Sequence, residues 1–284
     1  MLFAAPADAI ALTVLALAVD LIFGGRQLLG RLPAPEIAWQ ALATLYPAAV
    51  YAGALAVGLS IDLYLVPHGW SWPVLVLLTA WLIGQRRVWA SLKQMHQQLS
   101  HAPTTDPHAA VRLGLAQAVS RFHDTALTGS LALILGGMTG MMLVSAAGAL
   151  QPARGERALS DGRGAAALVG LATAPLAVLI LRLAGLAYQH RAGGRSAMRA
   201  RAGRLPGRHY SAAALARALG VQFRGVDGWL GPPEGRARAD LGDLNRGVRL
   251  LMRASLIWLG LLCLGLMAAL PAASATINAT LLKA

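Results

Sequence analysis

The chain alternates between long apolar stretches and shorter polar ones. Six stretches are apolar over most of their length, and they lie at about Ala5–Gly24, Ala38–Ile61, Trp70–Gly84, Thr125–Leu150, Ala165–Ala187 and Ala254–Ala273. A helix needs about 20 mostly apolar residues to cross a membrane, and every stretch except Trp70–Gly84 reaches that length. The pattern predicts an all-α polytopic membrane protein with about six transmembrane helices.

Two amphipathic helices are predicted between the third and fourth spans, in Gln85–Asp124. In Val88–Leu99 apolar residues recur every three or four positions, opposite polar ones. The second helix, Ala109–Arg121, shows the same spacing. Asp106 and Pro107 precede it and are typical of an N-cap and a first helical residue. We therefore expect the cytoplasmic loops to be helical.

Positive charge is concentrated between the last two spans. Residues 190–253 hold 13 arginines, 4 acidic residues and no lysine, and so carry nine of the thirteen net positive charges. The positive-inside rule places this arginine-rich domain in the cytoplasm and both chain ends outside a bacterial cytoplasmic (inner) membrane. The loop Gln151–Gly164 opposes this topology, because it would lie outside while holding Arg154, Arg157 and Arg163.

The same pattern divides the chain into five parts. Residues 1–84 hold the first three spans, and residues 85–124 form the helical pair. The glycine-rich spans four and five occupy residues 125–188. The arginine-rich cytoplasmic domain covers residues 189–253, and the last span and tail cover residues 254–284.

Composition excludes several classes of protein. With 56% hydrophobic and 13% charged residues, the chain is too apolar for an ordinary soluble domain. Its basic residues lie in loops beside apolar spans, so topology explains them better than nucleic-acid binding does. The single cysteine, Cys263, excludes an intrachain disulfide, a CxxC pair and a cysteine-ligated zinc site.

Two aspartates lie at the ends of predicted spans. Asp20 is near the end of the first span, where an ionisable group is often functional. A salt bridge with Arg26, or an acid that reaches the membrane surface, explains it equally well. Asp62 ends the second span and is expected to be solvated. In the fourth span, Gly136 and Gly140 have the small-xxx-small spacing that allows another helix to approach closely.

The histidines of the cytoplasmic loop raise the question of a metal site. His96, His101, His108 and His123 do not have the spacing of a zinc signature, so a polar surface is favoured and no metal ligand is assigned. Asp124 follows His123 where the helical pair meets span four. Its carboxylate is a candidate acid/base or magnesium ligand, and the alternative is an N-cap of the fourth helix.

An arginine cluster opens the cytoplasmic domain. Its members are Arg195, Arg199, Arg201, Arg204 and Arg208. Guanidinium groups bind phosphate or carboxylate through paired hydrogen bonds, which makes the cluster a candidate anion site. Adhesion to anionic lipid headgroups is favoured, because the spacing fits no anion-binding motif.

Four stretches of the chain carry a family resemblance, and the first two lie in spans one and four. The first stretch reads LAVDLIFGG followed by RLPAPE, and it is similar to a family pattern L-D-x-x-x-G-D-P followed by L-P-H-P-V. Asp20 and Gly24 match this pattern, while Gly25 replaces its second aspartate. AVSRFHDTALTGSLALILGG is similar to A-E-N-x-x-D-G running into L-G-G. Asp124 falls on the aspartate of that motif, while Ser120 and Arg121 replace its Glu-Asn pair.

The other two stretches lie in the arginine-rich domain. The third stretch reads LPGRHYSAAALARALGVQFRG, and it is similar to the family pattern S-P-N-x-x-W-S-E-A-x-x-A-G-A-L-G-x-x-L-G-G. Ser211 matches the serine after the tryptophan, and Tyr210 takes the place of that tryptophan. WLG, followed by DLNRGVRLLMRASLIWLGLL, is similar to a closing D-I-x-R-x-x-R-L stretch, in which Asp243, Arg246 and Arg249 match. In this order the four stretches resemble the cobinamide-phosphate synthase family of cobalamin biosynthesis (CobD/CbiB), which consists of multi-pass membrane proteins.

The resemblance implies an amide-forming ligase. Members join aminopropanol, or its phosphate, to a cobyric acid carboxylate in an ATP-dependent reaction, so ATP and Mg are the implied cofactors. The implied partners are the corrinoid substrate, the aminopropanol donor and membrane lipid, and a homo-oligomer is left open. Carried over to this chain, the resemblance gives Asp124 and Asp20 as catalytic residues, and as substrate- or phosphate-binding residues Arg121, Arg204, Arg208, Tyr210, Arg246 and Arg249.

The chain departs from the family at several polar positions. An N-T-L-D-S-M stretch of the family corresponds here to Gly148–Pro152, and a later Asp-Asp pair is apolar around Leu168 and Val169. Such losses, with helices and glycines retained, are typical of a scaffold with altered chemistry. The alternative function is therefore a catalytically degenerate or regulatory membrane protein, as AmpE-like proteins are on the same scaffold. A transporter is a more distant third possibility.

Overall fold

The structure is a computed structural model, and it describes residues 6–23, 40–68, 71–101, 106–149, 165–186, 208–225, 228–232 and 234–281. Within these ranges the chain is mostly helical, with one short β-hairpin. The predicted all-α class is confirmed in this coarser sense.

The first three stretches predicted as spans correspond to helices close to the predicted positions. α1 is Pro6–Phe23, α2 is Gln40–Ser60 and α3 is Trp72–Ile83. A first π-helix, Ile61–Leu65, continues α2 without a break in helical backbone. α1 packs against α3 and lines the core with fully buried residues such as Leu12.

The predicted amphipathic pair is confirmed. α4 is Gln85–His101 and α5 is Pro107–Arg121. The Asp106 side chain accepts a hydrogen bond from the Ala109 N–H at 2.9 Å, so Asp106 is the N-cap. Pro107 follows as the first helical residue, where its missing N–H costs nothing.

The fourth span does not begin with a cap. α5 runs directly into a second π-helix, Phe122–Gly129, and this continues as α6, Ser130–Ala149. The interpretation of Asp124 as an N-cap is therefore wrong, because the backbone is helical on both sides of it. The polar residues around Asp124 were expected to separate two helices, but they lie inside one continuous helical segment.

The remaining elements cover the last two stretches predicted as spans and the region between them. α7 is Ala165–Gly185, α8 is Arg208–Leu219 and α9 is Leu241–Leu281. Between α8 and α9, β1 (Phe223–Gly225) pairs antiparallel with β2 (Gly228–Leu230). α9 therefore begins well before the apolar stretch predicted as the last span.

Three helical segments of the described chain are long and apolar enough to cross a membrane, at Pro47–Leu65, Pro107–Gly148 and Leu241–Ala269. A shorter apolar helix covers Ala172–Gly185. Large apolar side chains point outward from these helices, for example Leu135 at 77% and Met267 at 68% exposure. Outward apolar side chains are what a lipid-facing surface requires, and the chain is membrane-like in this respect.

α6 is broken at Gly137, and Asp62 lies at the break. Gly137 has φ 67° and ψ −161°, a backbone conformation that favours glycine. Asp62, which is 1% exposed, accepts hydrogen bonds from the backbone N–H groups of Met138 and Thr139, both at 2.9 Å. The Thr139 hydroxyl donates a third at 2.6 Å. The prediction that Asp62 is solvated is wrong, because it caps the second half of α6.

The two glycines with small-xxx-small spacing do not form a helix-packing face. Apart from the neighbouring backbone of its own helix, no described heavy atom lies within 4 Å of the position that a Cβ on Gly136 would occupy. A Cβ on Gly140 would meet the carbonyl oxygen of Ala132, in the first half of the same helix, at 2.5 Å. The break at Gly137 brings the two halves of α6 together. Gly140 therefore leaves room for the first half of its own helix and not for another helix.

Candidate functional site

Polar side chains from five helical segments meet where α4 and α5 join the apolar helices. The second π-helix lies at the centre, side chains of α4, α7 and α8 reach it, and Asp20 of α1 joins it through Gln85. We call this group the junction site, and its members are Asp20, Gln85, His123, Asp124, Thr125, Thr173 and Ser211.

Asp20 holds the start of α4 against the end of α1. It is 0% exposed, and its Oδ2 accepts hydrogen bonds from the backbone N–H groups of Gln85 (2.6 Å) and Arg86 (3.3 Å). These N–H groups have no partner within their own helix, and the helix dipole favours a carboxylate there. The interpretation of Asp20 as an acid that reaches the membrane surface is therefore wrong. Arg26, its other predicted partner, lies outside the described residues.

Gln85 connects Asp20 to the second π-helix. Its backbone N–H donates to Asp20, while its side-chain Nε2 lies 3.4 Å from the hydroxyl oxygen of Thr125. Thr125 directly follows Asp124, so Gln85 links Asp20 to the turn of the π-helix that holds Asp124. This is the contact that brings the two predicted catalytic residues into one region.

His123 is buried in a network of hydroxyl groups. The residue is 0% exposed, its Nδ1 lies 2.9 Å from Ser211 Oγ, and its Nε2 lies 3.3 Å from Thr173 Oγ1. Thr173 Oγ1 is in turn 2.9 Å from Thr128 Oγ1. Each ring nitrogen thus has a hydroxyl neighbour, as a buried imidazole requires. The network ties α8 and α7 to the second π-helix.

α9 contacts the π-helix from another side. The indole Nε1 of Trp258 lies 3.0 Å from the carbonyl oxygen of Ala126 and 3.0 Å from Ser130 Oγ. A π-helix changes the hydrogen-bond pairing of the backbone, and polar side chains compensate for groups left over. The Trp258 indole therefore fixes α9 beside this irregular turn.

Asp124, Arg121 and Tyr210 form the more accessible edge of the site. Asp124 and Arg121 are half-buried one helical turn apart, and Tyr210, next to Ser211, is 41% exposed. Arg204 and the side chain of Arg208 lie outside the described residues, together with the rest of the predicted arginine cluster. Binding of substrate or phosphate by these residues stays a prediction.

The two arginines predicted on α9 differ in their surroundings. The Nη2 of Arg246 lies 2.6 Å from an oxygen of Asp243, and Arg236 binds the same buried carboxylate at 2.8 Å. Asp243 and Asp240 also accept hydrogen bonds from each other's backbone N–H groups, at 2.9 and 2.8 Å. Arg246 therefore stabilises the start of α9, whereas Arg249 is exposed.

The described residues do not form a metal cluster. Nowhere in the described ranges do three or more His, Cys, Asp or Glu side chains come together. His108 instead lies with its Nδ1 2.7 Å from the carbonyl oxygen of Ala239, beside the hairpin. At the junction site the only carboxylates of described residues are Asp20 and Asp124, and Asp20 already accepts two backbone N–H groups.

Sequence reasoning does not identify Gln85 or Thr173. The usable signal for Thr173 is a polar residue inside an apolar stretch, and for Gln85 it is the position directly after Gly84, where α3 ends. Both signals are weak, because polar residues at such places are often solvated. Only the fold shows that each faces the second π-helix.

No protein-family model matches this chain, and no curated protein or solved structure matches it either.

Proposed function

We propose that this protein is a membrane-bound enzyme of the cobinamide-phosphate synthase type, which joins aminopropanol or its phosphate to a corrinoid carboxylate as an amide. One observation carries the proposal. Parts of the four stretches that resemble the family, which are far apart in sequence, lie at or next to the second π-helix: Thr125 is in it, Ser211 and Trp258 contact it, and Asp20 is joined to it through Gln85. Motifs that serve one reaction are expected to meet in space.

Amide formation sets two requirements on such a site. The amine must lose a proton to become a nucleophile, and the carboxylate must be activated before it is attacked. Asp124 is the group we propose as acid/base, because it is half-buried at the edge of the site while Asp20 caps α4. Arg121, one turn away, provides positive charge for a phosphate or carboxylate oxygen.

ATP and Mg are implied by the resemblance, and the described residues fit them only in part. Magnesium bound with a nucleotide needs one or two protein carboxylates besides phosphate oxygens. The described residues supply Asp124, with Asp20 engaged as a cap, and no cluster of three ligands. We therefore derive no step through metal or nucleotide, and restrict the proposal to amine and corrinoid binding and to proton transfer at Asp124.

The proposal includes the topology of six spans in a bacterial inner membrane. It rests on the positive-inside distribution of Lys and Arg along the chain. Arg112 of α5 packs over the Trp229 ring at 5.5 Å and donates to the carbonyl of Ala237 at 2.5 Å. The two polar regions thus form one lobe, which we place in the cytoplasm.

Rescue of a cobinamide-auxotrophic strain tests the activity. The wild-type chain is expected to restore growth, and Asp124→Ala is expected to abolish rescue because the proton acceptor is lost. Asp106→Ala is the matched control, since it removes an exposed aspartate that only caps α5, at a cost of about 1 kcal/mol. No rescue by the wild type, at verified expression in the membrane, contradicts the ligase proposal. Full rescue by Asp124→Ala contradicts only the assignment of Asp124.

A second candidate is a non-catalytic membrane protein on the same scaffold. It is favoured by the structural use of residues that match the family's motifs: Asp20 caps α4, and Asp243 is bound by Arg236 and Arg246 at the start of α9. On this proposal the lobe contacts anionic lipid or a protein partner. Failure of the wild type to rescue the auxotroph, while the protein remains folded and inserted, favours this candidate over the ligase.

A further inference from the structure

The exposed face of α9 changes from basic to apolar along a single stripe. Its residues recur every three or four positions, and they are Arg249, Arg253, Leu256, Gly260, Leu264 and Met267. Residues at this spacing share one face of a helix. The stripe therefore joins a pair of guanidinium groups directly to an apolar surface.

The basic end of the stripe has no acidic residue beside it on α9. Asp243 is the last acid of this helix, and Arg236 and Arg246 bind it. Among the residues that the structure describes, the guanidinium of Arg249 has neither a hydrogen-bond partner nor an ion pair. A guanidinium binds phosphate or carboxylate oxygens through paired hydrogen bonds. We therefore expect the occupant of this end of the stripe to be anionic.

The end of α7 indicates the depth of the two arginines in the membrane. A Cβ on Gly185 would lie 4.0 Å from the Cδ1 atom of Leu250, so α7 ends beside the basic end of the stripe. At this height Leu183 and Leu186 are exposed. Exposed leucines beside Arg249 are expected at the boundary of a bilayer, where arginine side chains extend toward the lipid headgroups.

The apolar part of the stripe contains a notch at Gly260. Leu256 and Leu264, both exposed, lie one turn to either side of it. Apart from the neighbouring backbone of its own helix, no described heavy atom lies within 4 Å of the position that a Cβ on Gly260 would occupy. The notch is about 10 Å along the helix from Arg253, within the roughly 15 Å depth of one hydrocarbon leaflet. An acyl chain can therefore lie in it while its headgroup is at the arginines.

We infer that Arg249 and Arg253 form a headgroup site for an anionic phospholipid, one acyl chain of which lies over Gly260. The phosphate of the lipid accepts hydrogen bonds from the guanidinium groups. A soluble anion would use the arginines alone and gain nothing from the apolar part of the stripe. A second copy packed in parallel would bring two arginine pairs together, and their repulsion disfavours it.

This site goes beyond the proposed function and does not depend on it. It assigns to lipid an arginine, Arg249, that the family resemblance gives as a substrate- or phosphate-binding residue. The experiments below measure lipid binding and not rescue of the auxotroph, so they can fail while the ligase proposal stands.

Binding of dioleoylphosphatidylglycerol to the purified full chain in a nonionic detergent tests the headgroup site. The lipid is expected to raise the unfolding midpoint in a saturable way, and dioleoylphosphatidylcholine, which has no net charge, much less. Arg249→Gln and Arg253→Gln each remove one charge and are expected to weaken binding of the anionic lipid about tenfold. Arg238→Gln is the matched control, because it removes an exposed arginine that precedes α9 and is not part of the stripe. It is expected to bind as the wild type does.

A substitution in the notch distinguishes a lipid from a soluble anion. Gly260→Leu fills the notch and is expected to weaken binding of phosphatidylglycerol about threefold or more. Gly265→Leu makes the same change at another exposed glycine, about 120° round the helix from Arg253, and is expected to have no effect. Glycerol 3-phosphate has a phosphate but no acyl chain. We expect it to bind much more weakly than the lipid, and equally to both glycine variants.

Unfolding midpoints without added lipid separate loss of binding from loss of folding. The midpoints of Arg249→Gln and Gly260→Leu are expected to equal or exceed that of the wild type. Both positions are exposed, and leucine favours a helix more than glycine does.

Four results would overturn the inference. Equal stabilisation by both lipids, or equal losses in Arg238→Gln and Arg249→Gln, means that the lipid contact is not specific. Unchanged lipid affinity in Arg249→Gln or in Gly260→Leu means that the stripe does not hold the lipid. Glycerol 3-phosphate that binds as tightly as phosphatidylglycerol means a soluble anion. Conversion of a dimer into a monomer by Gly260→Leu means that a second copy covers the notch.

Discussion

Three buried aspartates bind backbone N–H groups at three helix starts. Asp20 caps α4, Asp62 caps the second half of α6, and Asp243 shares a reciprocal cap with Asp240 at α9. All three are at most 1% exposed. A buried carboxylate is costly unless several donors bind it, and helix N-termini supply unpaired N–H groups for this purpose. These residues illustrate how an acidic side chain in an apolar chain can be structural.

The cap at Asp240 predicts a pH dependence of stability. Burial alone would raise the pKa of the Asp240 carboxyl, but the Asp243 N–H and the Arg236 guanidinium outweigh it and lower the pKa below its usual value. A lowered pKa stabilises the fold above the unfolded-state pKa of about 3.9, and this contribution is lost as pH falls through the folded value. Asp240→Asn keeps the cap and removes the charge.

Unfolding midpoints in detergent check this effect. The wild type is expected to exceed Asp240→Asn by a constant margin from about pH 7 to pH 5, and the margin is expected to shrink below about pH 4. A margin that stays constant down to about pH 3 would show that the carboxylate charge does not contribute.

At the residue scale, the sequence identifies several side chains of the junction site but does not predict their structural roles. Asp20 and Asp124 are identified as ionisable groups in apolar surroundings, and both lie at the junction site. The capping role of Asp20 and the burial of Asp62 depend on the N–H groups of other helices, which no local pattern reveals. Gln85 is missed for the same reason, since its partners are 65 and 40 positions away.

At the scale of elements, helix positions follow from apolar periodicity, whereas irregular turns do not. α4 and α5 are predicted closely, including the cap at Asp106, because amphipathic spacing and capping residues are local signals. The continuous passage from α5 into α6 is not predicted. A polar run inside a helix resembles a loop in sequence, and the second π-helix has no compositional signature.

The break in α6 predicts the effect of removing Asp62. Asp62→Ala leaves the N–H groups of Met138 and Thr139 without acceptors in an apolar region, and we expect a loss of about 3 kcal/mol in the free energy of unfolding. Asp62→Asn retains an acceptor oxygen and is expected to lose about 1 kcal/mol. Thermal or denaturant unfolding in detergent measures both. Equal losses for the two variants would indicate that the charge, and not the cap, stabilises the break.

At the scale of the whole molecule, apolar content and charge predict a membrane protein but not the number of crossings. Three helical segments of the described chain are long and apolar enough to span, whereas α3 covers only 12 residues. The topology is therefore predicted from the positive-inside distribution of Lys and Arg. The six-span arrangement stays a prediction.

Labelling of single cysteines in intact cells tests that arrangement. In a Cys263→Ala background, His68→Cys and Glu234→Cys place a thiol at exposed positions between α2 and α3 and in the lobe, respectively. An impermeant maleimide is expected to label the first in intact cells and the second only after lysis. Labelling of Glu234→Cys in intact cells would place the lobe outside and contradict both proposed functions.

The uninterrupted passage from Pro107 to the break at Gly137 has a mechanical consequence. Because no loop separates α5 from α6 here, the two helices cannot rotate independently about this segment. A ligand that tilts α5 must carry the buried polar turn and the first half of α6 with it, up to the elbow that Asp62 holds. A displacement of α5 is therefore expected to reach the break at Gly137 as a tilt of one rod.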